Sequence, residues 1–137
     1  MFMPMIQNMR DELTQVGFKE LKTPAEVAAT LPSAQGTTLV FVNSVCGCAG
    51  GIARPGVAMA LASGAKADHL YTVFAGQDKE ATAAARALFG DNPPSSPSMA
   101  VMKDGKIVTM IHRHQIEGSN PQAVAAKVID AVRSVQA

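Results

Sequence analysis

Apolar residues recur at three- and four-residue steps at the start of the chain. Ile6, Met9, Leu13 and Val16 fall on one helical face, and Gly17 follows as a stop signal. Phe18 to Leu21 is a short candidate strand. "TPAEVAATL" supplies Thr23 as N-cap, Pro24 at the first helical position and Glu26 to close a capping box, with an end near Leu31-Pro32. "TTLVFVN", Thr37 to Asn43, is apolar and β-branched with little polar alternation, which suits a central strand buried on both faces. A helix is predicted from at or just after Cys46 to about Ser63, with Gly64 beyond it. Pro55 lies inside that span and predicts a kink. "HLYTVFAG" is the next strand, and "DKEATAAARALFG" a helix capped by Asp78 and stopped by Gly90. "DNPPSSPS" reads as loop. "MAVMKDGKIVTMI" reads as a hairpin turning at Asp104-Gly105, with Met99 to Lys103 paired to Lys106 to Ile111. Asn120 caps and Pro121 opens a last helix, with Val124, Val128, Ile129 and Val132 on one face.

After the first helix the order is β-α-β-α-β-α-β-β-α. Alternation implies parallel pairing, and the hairpin adds an antiparallel edge. The expected fold class is α/β: a central mixed sheet flanked by helices, with an extra N-terminal helix. At 137 residues, without internal repeat or low-complexity segment, residues 1–137 are expected to form a single domain.

Composition narrows the function. The chain is 47% hydrophobic, enough for a core without disulfide support. Its formal net charge is +1 and only 17% of residues are charged, so no basic excess points to nucleic acid. Trp is absent and Tyr71 is the sole tyrosine, which argues against a stacking platform for single strands. "MFMPMIQNMRDEL" lacks the charge and apolar run of a signal peptide, and no apolar stretch is long enough to span a membrane. The expectation is a cytosolic protein, where a disulfide is usually transient, catalytic or redox-sensing. The methionines at the start (Met1, Met3, Met5, Met9) suit internal packing or a dimer contact, so a monomer or weak homodimer is expected.

The chemistry concentrates in "VFVNSVCGCAGGIARPG", which holds both cysteines. Cys46 lies where a buried strand hands over to a helix, at the sheet edge where α/β sites assemble. Unpaired N–H groups and partial positive charge at the helix start favour a thiolate, with a pKa of roughly 3.5–7.5. Cys46 is therefore expected to be a nucleophile ionised near neutral pH. Cys48 is spaced to close a disulfide with it and reads as the resolving thiol. So small a ring should be tense, hence oxidising and labile, and Gly47 gives the backbone freedom to close it. Two other readings stay open. Free cysteines can be inert core residues, although those need no glycine hinge. Cys46, Cys48, His112 and His114 also compose a two-Cys, two-His zinc set, but neither pair has the usual zinc spacing, and no metal is expected. Otherwise the histidines face solvent or line the rim of the redox site.

The element order and the cysteines at a strand-to-helix junction resemble the thioredoxin fold. Pro97, before "SMAVM", matches that fold's cis-proline, and "MKDGKIV" its hairpin. "MPMIQNMRDELTQVGFKELKT", "VNSVCGCAGGIARPG" and "HRHQIEG" are similar to the bacilliredoxin family, thioredoxin-like CGC proteins, over almost the whole chain. One residue separates the cysteines and no tryptophan precedes them, unlike thioredoxins proper. The resemblance implies a thiol-disulfide oxidoreductase that removes bacillithiol, or a similar small thiol, from mixed disulfides on cytosolic client proteins, with weak isomerase or reductase activity. It implies Cys46 as attacker, Cys48 as its partner, and no cofactor beyond their redox-active disulfide and bacillithiol as co-substrate. Asn43, Ser44, Arg54 and Pro55 belong to the matched motif. Asn43 and Ser44 are expected to hydrogen-bond the turn or cap the helix. Arg54 is expected either to bind a carboxylate of the small thiol, since bacillithiol carries a malyl group, or to be a solvated helix arginine. Glu117 and Gly118 are expected to form the turn before the last helix. A metal-binding or redox-sensing module, and a protein disulfide isomerase, remain the alternative functions.

Overall fold

The computed structural model describes residues 2–136 of the chain, with the side chains of residues 2–4 left aside; Met1, and the packing of Met1 and Met3, lie outside the described residues. The elements in chain order are α1 (Phe2–Thr14), β1 (Lys19–Glu20), α2 (Pro24–Thr30), β2 (Thr37–Asn43), a π-helical turn (Ala49–Ala53), α3 (Arg54–Ala62), β3 (His69–Phe74), α4 (Lys79–Arg86), β4 (Ser98–Lys103), β5 (Lys106–Ile111), a 3-10 turn (Arg113–Gln115) and α5 (Pro121–Gln136).

All seven residues of β2 are buried, because it is the middle strand of a five-stranded sheet ordered β1-β3-β2-β4-β5. β1 and β2 pair parallel with β3, while β4 pairs antiparallel with both β2 and β5. The period of two then sorts the apolar side chains. Leu39 and Phe41 of β2, with Met99 and Val101 of β4, pack with Leu13, Phe18, Val57, Val124, Val128 and Val132. Val40 and Val42, with Ala100 and Met102, pack with Val27, Leu31, Ala81, Ala85 and Phe89 on the other face. Thus α1, α3 and α5 cover one face, and α2 and α4 the other. Phe41 is fully buried and meets Phe18 edge-on at 6.0 Å, so truncating it to alanine is expected to cost about 3–5 kcal/mol.

The stop signals act as local physics predicts. Gly17, at φ +108°, ends α1: its N–H bonds the Thr14 carbonyl and the Phe18 N–H reaches Leu13 O. Thr23 caps α2 by accepting from the Glu26 N–H, while the Glu26 carboxylate takes the Lys22 N–H. The β4–β5 turn has positive φ at Asp104 and Gly105, and Gly105 packs so closely on the Pro32 carbonyl that no side chain fits. Asn120 Oδ1 accepts from the Ala123 N–H at 2.8 Å and starts α5.

Two local expectations are corrected. The helix after Cys46 is not one α-helix kinked at Pro55. Instead residues 49–53 form a π-helical turn, closed by the Arg54 N–H on Ala49 O, and Pro55 sits in the first turn of α3. A proline ring clashes with the carbonyl four residues back, and the wider turn relieves that clash. Asp78 holds the N-cap position of α4, but its side chain does not cap. Its carboxylate is taken by Arg10, which also binds Glu20 and lies over the Phe74 ring at 5.0 Å. That cluster pins α1 to the sheet.

Candidate active site

The site forms where β2 ends. Asn43 and Ser44 are buried, Val45 is exposed, and Cys46 and Cys48 are half-buried at the mouth of the π-helical turn. Asn43 organises the handover: its Oδ1 accepts from the Ser44 N–H at 2.9 Å and its Nδ2 donates to Met9 O of α1 at 3.2 Å. Ser44 Oγ accepts from the Cys46 N–H at 3.2 Å. Both residues thus hold the turn, as expected from their polar side chains at a strand end.

The two cysteines are free thiols with sulfurs 2.7 Å apart, and they are electrostatically unequal. Burial pushes the Cys46 thiol up. Hydrogen bonds from the Cys48 thiol, the Ala49 N–H, the Ser44 hydroxyl and the Cys48 N–H outweigh it and hold Cys46 below its ordinary value. Cys48 is raised by burial, by the bond it gives Cys46 and by the charge of Cys46, with Arg113 pulling the other way. The Cys48 thiol and the helix-start amides together therefore favour Cys46 as the thiolate. Gly47 does not adopt positive φ, and a Cβ built on it would meet nothing within 4 Å. In the dithiol state the glycine leaves the ring open to approach and spends none of its left-handed freedom.

Arg54 overturns both expectations for it. It is 4% exposed, so it is not a solvated helix residue. Nor does it reach outward for a ligand: Nη1 donates to Asn43 Oδ1 at 2.8 Å and Ser44 O at 2.9 Å, and Nε to Glu12 Oε1 at 3.2 Å. The wide turn brings the guanidinium beneath the loop, where it ties α1, the end of β2 and α3 together.

The neighbouring strands bring the rest of the rim. Val42 pairs with Ser98, so the cis Ser96–Pro97 bond lies beside the end of β2, where the resemblance implied a cis-proline. His112 and His114 stack at 5.7 Å on the turn after β5. His112 Nε2 meets Asn92 Oδ1 at 3.2 Å, so its ring serves the 92–95 loop. Among the described residues no group of three or more His, Cys, Asp or Glu side chains is placed to hold a metal ion, and the four-residue zinc set does not assemble. Glu117 and Gly118 do form the turn before α5, with Gly118 at φ +77°. On the other side of the cysteines, Met5, Ile6, Met9, Val45 and Gln77 line an apolar groove of ≈ 460 Å³. The sequence reading missed Glu12, Met9 and Arg113. For Arg113 a signal existed, since it lies within "HRHQIEG".

A strand-to-helix cysteine pair on a sheet of this order, next to a cis-proline, defines a thiol-disulfide redox protein of the thioredoxin fold. Solved structures agree on the fold: Fasciola hepatica thioredoxin superposes with a TM-score of 0.61 at 22% identity, over 86% of this chain and 99% of that one. An Entamoeba histolytica thioredoxin variant gives 0.56 at 16% identity, over 84% and 99%. More specifically, the chain belongs to the family whose model is described as "Disulphide isomerase", matched over residues 2–135, and within it to the bacilliredoxins. A bacilliredoxin of Symbiobacterium thermophilum is 62% identical over 136 residues, 99% of this chain and 96% of that protein. One of Geobacillus kaustophilus is 57% identical over 123 residues, 90% and 84% of the two chains.

Proposed function

We propose that this protein removes bacillithiol, or a closely similar small thiol, from mixed disulfides on cytosolic client proteins. The observation that carries the reading is the unequal pair: two sulfurs 2.7 Å apart, one held down by the hydrogen bond from its partner thiol and by helix-start amides, and one pushed up. The Cys46 thiolate attacks the small-thiol sulfur of the mixed disulfide. A Cys46–small-thiol disulfide forms, and the client leaves as a thiolate that takes a proton. Cys48, deprotonated, then attacks Cys46 Sγ and releases the small thiol. The Cys46–Cys48 disulfide forms, and the two electrons of the dithiol reside on the two released thiols.

The bacilliredoxin names of the relatives support the choice of small thiol. The apolar groove beginning one residue from Cys46 supports a polypeptide client over a free small disulfide, because exposed Met5 and Val45 offer apolar contact. With Arg54 buried inward, it is no longer proposed as the clamp for a carboxylate of the small thiol.

The test is a single turnover: reduced protein is mixed with a bacillithiolated client, and client thiols and enzyme mass are followed. One client thiol recovered per enzyme converted to its internal disulfide is expected, and a Cys46→Ala variant should recover none. Failure of the wild-type protein to release the small thiol sinks the reading. Disulfide isomerase activity is the second reading, favoured by the description of the family model. It cycles without net oxidation, so rescue of scrambled ribonuclease faster than debacillithiolation would favour it.

A further inference from the structure

Arg113 is carried to the cysteine edge by the register of three strands. Val42 pairs with Ser98 and Met99 with Ile111, so the segment after β2, the segment before β4 and the segment after β5 share one end of the sheet. Cys46 follows the first, Ser95-Ser96-Pro97 make the second, and His112-Arg113 the third. The guanidinium is fixed in place, with Nη1 donating to Ser96 O at 3.2 Å and Nε to Glu117 Oε2 at 3.1 Å. The Arg113 N–H donates to Ser95 Oγ at 3.3 Å. These bonds hold a cation at the rim without burying it, its side chain being 44% exposed.

We propose that Arg113 is a positioning residue for the second half of the reaction, its charge at the cysteine edge favouring ionisation of Cys48 once Cys46 carries the captured thiol. This rests on the roles given to the two cysteines above. While Cys46 is a thiolate, three influences keep Cys48 protonated: burial, the hydrogen bond it gives Cys46, and the negative charge of Cys46. Capture ties the Cys46 sulfur into a disulfide, and the last two vanish. Burial, the largest of the three, then remains, opposed by the charge of Arg113 and by the Cys48 N–H. The resolving thiol is thus harder to ionise while the attacker waits, and easier to ionise once the attacker is consumed. Cys48 loses its proton to solvent, attacks Cys46 Sγ, forms the Cys46–Cys48 bond and expels the small-thiol thiolate, which takes up a proton. The other groups near this end are Glu117, paired with Arg113, the stacked His112 and His114 on the same turn, and Arg54 with Glu12 under the loop from the α1 and α3 side.

The test isolates Cys48 in a Cys46→Ser background, where it is the sole thiol. Thiolate ultraviolet absorbance is titrated against pH at low ionic strength, with Arg113 intact, Arg113→Gln and Arg113→Lys. Glutamine keeps a donor towards Ser96 O without the charge, and lysine keeps the charge without the fork. The Gln variant is expected to raise the Cys48 midpoint by about half a pH unit, the size of a solvent-screened charge–charge interaction. The Lys variant should stay near the parent, and the gap should close in about 1 M salt. In the otherwise intact protein, Arg113→Gln should slow resolution of the captured thiol about threefold near neutral pH. An unmoved midpoint in Arg113→Gln overturns the proposal. So does Arg113→Lys behaving like Arg113→Gln, which would make the residue merely structural. The titration uses neither client nor small thiol, so it fails or succeeds independently of the substrate assignment.

Discussion

Replacing Arg54 with methionine tests whether the loop beneath the cysteines is held by buried hydrogen bonds or by a surface ion pair. The side chain makes both: two bonds to the buried Asn43 Oδ1 and Ser44 O, and one to Glu12, whose side chain is 47% exposed. The exposed partner makes the ion pair worth about 0–1 kcal/mol. Ser44 O left without its donor costs about 1–3 kcal/mol, and Asn43 Oδ1, which keeps only the Ser44 N–H, loses a charge-assisted bond of about 1.5–3 kcal/mol. Methionine refills much of the volume, so the loss falls mainly on the polar terms and sums to about 3 kcal/mol. For a chain of 137 residues, an unfolding entropy of about 2.1 cal/mol/K per residue turns this into a Tm lowered by about 10 °C. Glu12→Gln, by contrast, should lower Tm by no more than about 3 °C. Thermal unfolding followed by far-UV circular dichroism measures both. The reasoning is refuted if the two variants lose equal stability, or if Arg54→Met loses less than about 1 kcal/mol.

Other consequences follow from the same geometry. A Cβ at Gly56 would stand 2.8 Å from Val124 Cγ1 and 3.2 Å from Pro121 O, so Gly56→Ala should force α3 from α5 and cost about 1–3 kcal/mol in urea unfolding. Adding Val124→Ala should recover part of that loss, and simple additivity would contradict the contact. Because Cys46 is held below and Cys48 above the ordinary thiol value, iodoacetamide at neutral pH should label Cys46 first, and Cys48 only at higher pH. Ser44→Ala removes one of the groups that hold Cys46 down and should move its alkylation profile to higher pH; an unchanged profile would discount the hydroxyl. The ring closed by cysteines two apart should make the pair more oxidising than about −270 mV, which equilibration with glutathione would measure.

Much of the sheet was legible in local sequence because its signals are local. An unbroken apolar run marks β2, a positive-φ pair marks the β4–β5 turn, and Thr23-Pro24 and Asn120-Pro121 mark helix starts. Cys46 and Cys48 were legible for the same reason, since the strand-to-helix handover surrounds them in the chain. What escaped depends on partners distant in sequence. Arg54 looks like a surface residue until Asn43, Ser44 and Glu12 converge on it, the last 42 positions away. Asp78 looks like a cap until Arg10, 68 positions away, takes its carboxylate. Arg113 reaches the site only through the β4–β5 register. The π-helical turn is a compromise between Pro55 and the helix before it, which proline's presence alone does not dictate.

The central claim is that Cys46 takes the sulfur and Cys48 lets it go. A Cys48→Ala variant incubated with a bacillithiolated protein isolates the first half. Intact mass and peptide mapping should find one bacillithiol per chain, attached to Cys46 and stable until an external thiol is added. No adduct under conditions where a control enzyme forms one, or equal trapping on Cys48 in the Cys46→Ala variant, would contradict the account.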